Sequence, residues 1–204
     1  VAGLAELAYA VMNLSAMPVY LKLSMHYGAG AVTAIGAAFL MCEGVMKGPF
    51  GILGDRIGRK NLIIIGPLIS VFTALMTILI KPHQWYFFVV LRILDGLGAA
   101  ALWPAAMAMI ADVVEEHRRS QAMSLINVAN MMGIAVGPIL GGAANDLTRV
   151  ALERMFPGKH IIDPRTASFY LISLLFLATS IAAWIRIPNI RLHQDSASDR
   201  ENGF

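Results

Sequence analysis

The sequence predicts an all-α membrane protein built from six transmembrane helices. Its composition is 57% apolar with glycine left out and only 14% charged, against about 45–50% and about 25% in soluble domains. Six apolar runs succeed one another with short connectors between them, and six spans of about 20 residues use about 120 positions. The connectors alternate between rich and poor in Lys and Arg, which is how a polytopic chain records its orientation.

The same features exclude other classes. A net charge of +3 reads as loop bias, with nothing that points to nucleic acid. Cys42 is the single cysteine and lies inside an apolar run, so it forms no intrachain disulfide and no metal cluster. No basic stretch precedes the first apolar run and five more runs follow, which excludes a cleaved signal peptide. Neither a Ser/His/Asp set, a metal-ligand spacing nor a phosphate loop is placed for chemistry, so no enzyme, cofactor or metal is expected. Val1 already stands inside a hydrophobic run, and the chain reads as a fragment of a longer one.

Span 1 is expected over residues 2–20, with Pro18, Tyr20 and Lys22 at its far end. Span 2 covers 31–51, span 3 covers 62–80 and span 4 covers 85–111, where Trp85 and Tyr86 suit an interfacial anchor. Span 5 covers 122–142 and span 6 covers 167–187, closing a bundle of residues 1–190. Leu147, Val150, Ala151 and Met155 recur at helical spacing in the connector between them. A short surface helix and an irregular loop both fit that stretch. Residues 191–204 form a polar tail that reads as solvated, the start of a linker.

Orientation follows from counting cations. The 2–3 and 4–5 connectors hold Arg56, Arg59, Lys60, Arg118 and Arg119, whereas the 1–2 and 3–4 connectors hold Lys22 and Lys81. The richer pair belongs in the cytoplasm, and six spans then place both termini there. The 5–6 connector, with Arg149, Arg154, Lys159 and Arg165, dissents.

Three motifs are specific. Gly51, Asp55, Arg56, Gly58, Arg59 and Lys60 form a basic junction between spans 2 and 3. Arg92, Asp95, Gly96 and Gly98 follow in span 4. Gly133, Gly137, Pro138, Gly141 and Gly142 lie in span 5, where glycines four apart leave a bare stripe for a neighbouring helix. Together, and in this order, they closely resemble signatures of the major facilitator superfamily. The resemblance covers about residues 5–190 and implies the N-terminal six-helix bundle of the major facilitator fold. It also implies inverted three-helix repeats, a partner C-terminal six-helix half, and a substrate path between the halves. The span 5 motif resembles that of drug/proton antiporters, which favours proton-coupled efflux of drugs or small metabolites. A solute:proton symporter or facilitator of the same fold is the alternative, and a non-transporting six-helix scaffold or receptor the rival from another class. The expected partners are membrane lipid, small-molecule substrate and protons.

Ionisable groups inside spans are the informative anomaly, because each costs about 2.5–3.5 kcal/mol at a helix centre. Glu43 precedes Asp55 by about 18 Å of helix and so sits near the midplane. It reads either as a proton-carrying carboxylate or as the partner of Lys47 one turn on. Glu6 in span 1 reads either as a cavity-facing acid or as a hydrated residue near the boundary. The resemblance assigns Arg92 to proton coupling, since a fixed cation eases proton release from a neighbouring acid. Asp95 departs from the family pattern and pairs naturally with Arg92 at i, i+3. Asp55 and Asp112 each close a helix at its negative end and need a cation. Arg59 is the natural partner of Asp112, while the resemblance gives Asp55 a helix N-terminus in the other half, a cytoplasmic latch.

Overall fold

The computed structural model describes residues 1–155, 157 and 163–187. The expected tail at 191–204, together with Lys159, His160 and His193, lies outside the described residues. Among the described residues, six helices are long and apolar enough to cross a membrane. They are α1 (Ala2–Leu23), α2 (Ala29–Ile57), α3 (Arg59–Leu79), α4 (Trp85–Val113), α5 (Arg119–Met155) and α6 (Ala167–Arg186). Single 3₁₀ turns, Glu116–Arg118 and Pro164–Thr166, lead into α5 and α6.

Neighbours follow a chain of contacts: α2 lies on α4, α4 on α3, α3 on α6, α6 on α1, and α1 on α5. Exchanging α1–α3 for α4–α6 maps this chain onto itself. Successive spans alternate in direction, so the two triplets run oppositely, the inverted repeat that the resemblance implies. The core is shared by α1, α3, α4 and α6, whereas α2 and α5 are the least buried. Their exposed faces carry Leu40, Met41 and Val45 on one side and Leu125, Met131 and Ile139 on the other.

Small residues set the closest crossings. A Cβ placed on Gly66 would stand 2.5 Å from the carbonyl oxygen of Gly98, and one on Gly98 would stand 2.6 Å from that of Gly66. Helices α3 and α4 therefore touch backbone to backbone, which no larger residue permits.

Two boundaries differ from the sequence expectation. Helix α2 continues beyond Gly51 to Ile57, so most of the basic junction is helical and Gly58 alone separates α2 from α3. Gly58 has φ 94° and ψ 128°, a region essentially reserved for glycine, and this lets two helices join through one residue. Helix α5 does not stop at Gly142. It runs unbroken to Met155, so Leu147 to Met155 extend the span rather than form a separate surface helix or loop. Ala, Leu, Glu and Arg there are good helix formers, and hydropathy alone cannot tell a helix leaving the membrane from a loop.

Helix α1 contains a π-helical stretch, Val11–Ala16, just before Pro18. Proline has no N–H, and its ring crowds the carbonyl four residues earlier. The wider π turn relieves that crowding and brings Asn13 toward α4.

Candidate functional site

A largely buried polar network lies at the heart of the bundle. Arg92 and Asp95 on α4 are both buried and pair at 2.6 Å, Nη1 to Oδ2. Ser70 Oγ donates to Asp95 Oδ1 at 2.5 Å, and Thr73 Oγ1 lies 3.4 Å from the same oxygen. Ser70 has one proton to give, so Tyr9, 2.9 Å away, must donate to it. Arg92 Nη2 donates to Asn13 Oδ1, and the guanidinium sits 4.3 Å from the centroid of the Phe39 ring. Phe176 of α6 meets Tyr9 edge-on at 4.7 Å. Every helix except α5 thus contributes to the network. The Arg92–Asp95 pairing at i, i+3 is realised, and two hydroxyls, Ser70 and Thr73, approach the carboxylate's other oxygen, with Tyr9 behind Ser70.

Of these partners, Tyr9, Ser70, Thr73 and Phe39 do not stand out in the sequence. One signal exists: Ser70, Thr73 and Thr77 fall at i, i+3 and i+7 in an otherwise apolar span, a polar stripe that faces inward.

A second ionic group is only partly enclosed. Glu43 pairs with Lys47 at 2.8 Å, the carboxylate 14% and the ammonium 47% exposed. The Lys47 partnership weighed for Glu43 is therefore the geometry adopted. Glu6, on α1, lies within the electrostatic reach of both, and its Cγ would be 3.1 Å from a Cβ on Gly133. Glu6, Glu43 and Lys47 thus share a neighbourhood across α1 and α2, whereas Arg92 and Asp95 are buried.

At the Gly58 end of the bundle, Arg59 bonds Asp112 on α4 and also reaches Asp55, with Nη2 at 2.9 Å and Nε at 3.2 Å from Oδ1. One guanidinium therefore serves the C-terminal ends of both α2 and α4, where each acid opposes the helix dipole. Asp55, expected to lean on another half alone, has an intramolecular cation as well. It remains 58% exposed, so a further partner can still reach it. Arg56 and Lys60 stand at the same end, outside any ion pair among the described residues. Gly51 faces Pro104 of α4, with a Cβ there 4.0 Å from the proline's own.

The stripe on α5 packs along α1. Cβ atoms on Gly133, Gly137 and Gly141 would meet Leu7 N at 3.0 Å, Ala10 Cβ at 2.7 Å and Ser15 Oγ at 2.7 Å. Gly142 meets nothing within 4 Å and takes no part in that seam. Pro138 lies inside the helix without ending it.

Comparison with known proteins fits this arrangement. The model of the Major Facilitator Superfamily matches residues 2–202. The chain belongs to the Major Facilitator Superfamily. Among curated members, the inner membrane transport protein YajR of Escherichia coli is 34% identical over 193 residues, 92% of this chain and 37% of that protein. Multidrug resistance protein 2 of Bacillus subtilis is 35% identical over 127 residues, 62% of this chain and 31% of its own length. The methyl viologen resistance protein SmvA of Salmonella typhimurium is 35% identical over 95 residues, 46% of this chain and 19% of its own. The chain thus spans about a third or less of these relatives. As a superfamily member with six apolar spans, it is an integral membrane protein.

Proposed function

We propose that this chain forms the N-terminal six-helix half of a secondary active transporter that expels drugs or small metabolites in exchange for protons. The observation that carries the reading is a charged network held at mid-span inside an otherwise apolar bundle. Ionised groups there cost free energy and are kept where protons or cargo move. Helices α2 and α5, bare on their outer faces, supply the surfaces toward a second half. Six helices make one wall of a path that two halves enclose by rocking about a central site.

Within this mechanism the groups divide the work. Glu43 and Glu6, which are partly accessible, take up and release the proton, and Lys47 holds Glu43 when it is ionised. Arg92 is the fixed cation behind them, and Asp95 neutralises it while tying α3 and α1 to α4 through Ser70 and Tyr9. Arg59, bridging Asp55 and Asp112, latches the Gly58 end, which the cation count places in the cytoplasm together with both termini. Efflux is favoured over uptake by the motif from Gly133 to Gly142 and by the names of the multidrug and methyl viologen resistance relatives.

The test is exchange in proteoliposomes holding the full-length protein, with ethidium and methyl viologen as probes. Antiport predicts that an acid interior drives probe uptake and that Glu43→Gln abolishes it. Uptake driven by an acid exterior identifies the symporter instead. No gradient-dependent movement of any solute by the wild type identifies the scaffold.

A further inference from the structure

A cleft of about 210 Å³ opens between α1 and α2, with α4 as its floor. Its walls are apolar, chiefly Met17, Pro18, Phe39 and Leu40, and Asn13 and Arg92 line it as well. The volume is below the about 300–1,000 Å³ of drug-sized sites, so it suits a fragment-sized body.

Two features make the cleft more than a packing defect. Arg92 is buried, and its Nε has no hydrogen-bond partner among the described residues. A buried donor left without an acceptor is costly, and native structures seldom keep one without use. Asn13, in turn, is held toward Arg92 by the π stretch of α1, and its amide oxygen accepts from Nη2. Asn13 is only half-buried, and the neighbouring Leu14 is exposed, so this side of α1 has room to yield.

The chemistry of the occupant follows from charge. Asp95 already balances Arg92. A carboxylate entering the cleft would add an unpaired negative charge in an apolar setting, and a cation would face the guanidinium. A neutral carbonyl costs neither. It also matches the group that Arg92 now holds, an amide oxygen.

We infer that the cleft between α1 and α2 is a subsite for small apolar molecules bearing a neutral carbonyl, an amide or ketone, which displaces Asn13 from Arg92. Filling it releases the one side-chain bond between the π stretch of α1 and Arg92, so occupancy is reported directly to the charge network. The inference takes the transport reading for its purpose, but binding is measured without transport, so the two fail separately.

The probe is acetophenone, with ethylbenzene as the isostere that lacks the oxygen. The full-length protein is placed in lipid nanodiscs with ¹³C-methyl methionine, and Met17→Leu assigns the reporter signal. Acetophenone is expected to shift the Met17 methyl saturably, and in Asn13→Ala, where no amide competes for Nη2, ethylbenzene should do so at least about tenfold more weakly than acetophenone, the roughly 1.4 kcal/mol of one hydrogen bond to a charged group. Asn13→Ala removes the competitor and should tighten acetophenone binding by a similar factor. Gly36 lines the cleft, and a Cβ there meets no atom of the described residues within 4 Å, so Gly36→Leu enters the cleft without a clash at its root. It should abolish the saturable shift while the other methionine signals stay in place. Equal binding of both probes to Asn13→Ala, acetophenone binding there no tighter than in the wild type, or a shift that survives Gly36→Leu would overturn the inference. So would the absence of any saturable shift in the wild type, which would mean that protein already fills the cleft.

Discussion

Replacing Asp95 by Asn keeps the shape of the side chain and removes its charge. In the structure Oδ1 takes Ser70 at 2.5 Å with Thr73 at 3.4 Å, and Oδ2 takes Arg92 at 2.6 Å. The amide can keep its oxygen toward the hydroxyls, but its NH₂ then faces the Arg92 donors. Arg92 is left as a buried cation without a counter-ion. Breaking a buried pair in this way costs about 3–5 kcal/mol. At about 2–4 °C per kcal/mol for 150–250 residues, and less for a longer chain, the melting temperature of the full-length protein should fall by several degrees, up to about 20 °C. Thermal unfolding of the detergent-purified full-length protein, followed by loss of the monodisperse peak on gel filtration, measures the drop. The double variant Arg92→Met with Asp95→Asn should regain most of it, because the stranded charge is gone. An Asp95→Asn protein as stable as wild type would refute the premise that this pair is desolvated. A double variant no better than the single one would refute the claim that the charge, not the hydroxyl contacts, sets the cost.

Other substitutions separate neighbouring residues of one motif. Gly137→Ala drives a Cβ to 2.7 Å from that of Ala10 and should destabilise by about 1–3 kcal/mol in the same assay. Gly142→Ala, with open space around it, should be neutral or stabilising by up to about 1 kcal/mol. Gly58→Ala puts a Cβ at φ 94° and should cost about 1–3 kcal/mol; equal stability would remove the one-residue joint as a constraint. Lys60→Cys in a Cys42→Ser background should react with a membrane-impermeant maleimide only after permeabilisation of cells. Labelling in intact cells would reverse the orientation.

Much of this was legible because it rests on hydropathy and on charge in the wrong solvent. Six spans follow from the cost of placing polar residues in lipid. Arg59 with Asp112 follows because an acid at a helix C-terminus needs a cation. Arg92 with Asp95 follows from i, i+3 spacing. Asp55 was harder, since sequence gives no reason for one arginine to serve two acids until Gly58 turns the chain and sets Arg59 between the ends of α2 and α4. The hydroxyls of Tyr9, Ser70 and Thr73 were silent because such residues are cheap in a membrane helix and occur there for many reasons. The π stretch of α1 was silent too, although Pro18 marks where strain must be relieved. The far end of α5 was left open between helix and loop because a helix that outgrows the bilayer loses its apolar signature while keeping its hydrogen bonds.

Gly58 joins rods of 29 and 21 residues with no spare chain between them. A joint that short has no slack, so tipping α2 must swing α3. The seam at Gly66 and Gly98 leaves α3 no freedom to slide on α4 unnoticed. A push delivered to the bare flank of α2 is therefore passed on, lever to lever, to the helix that bears Arg92.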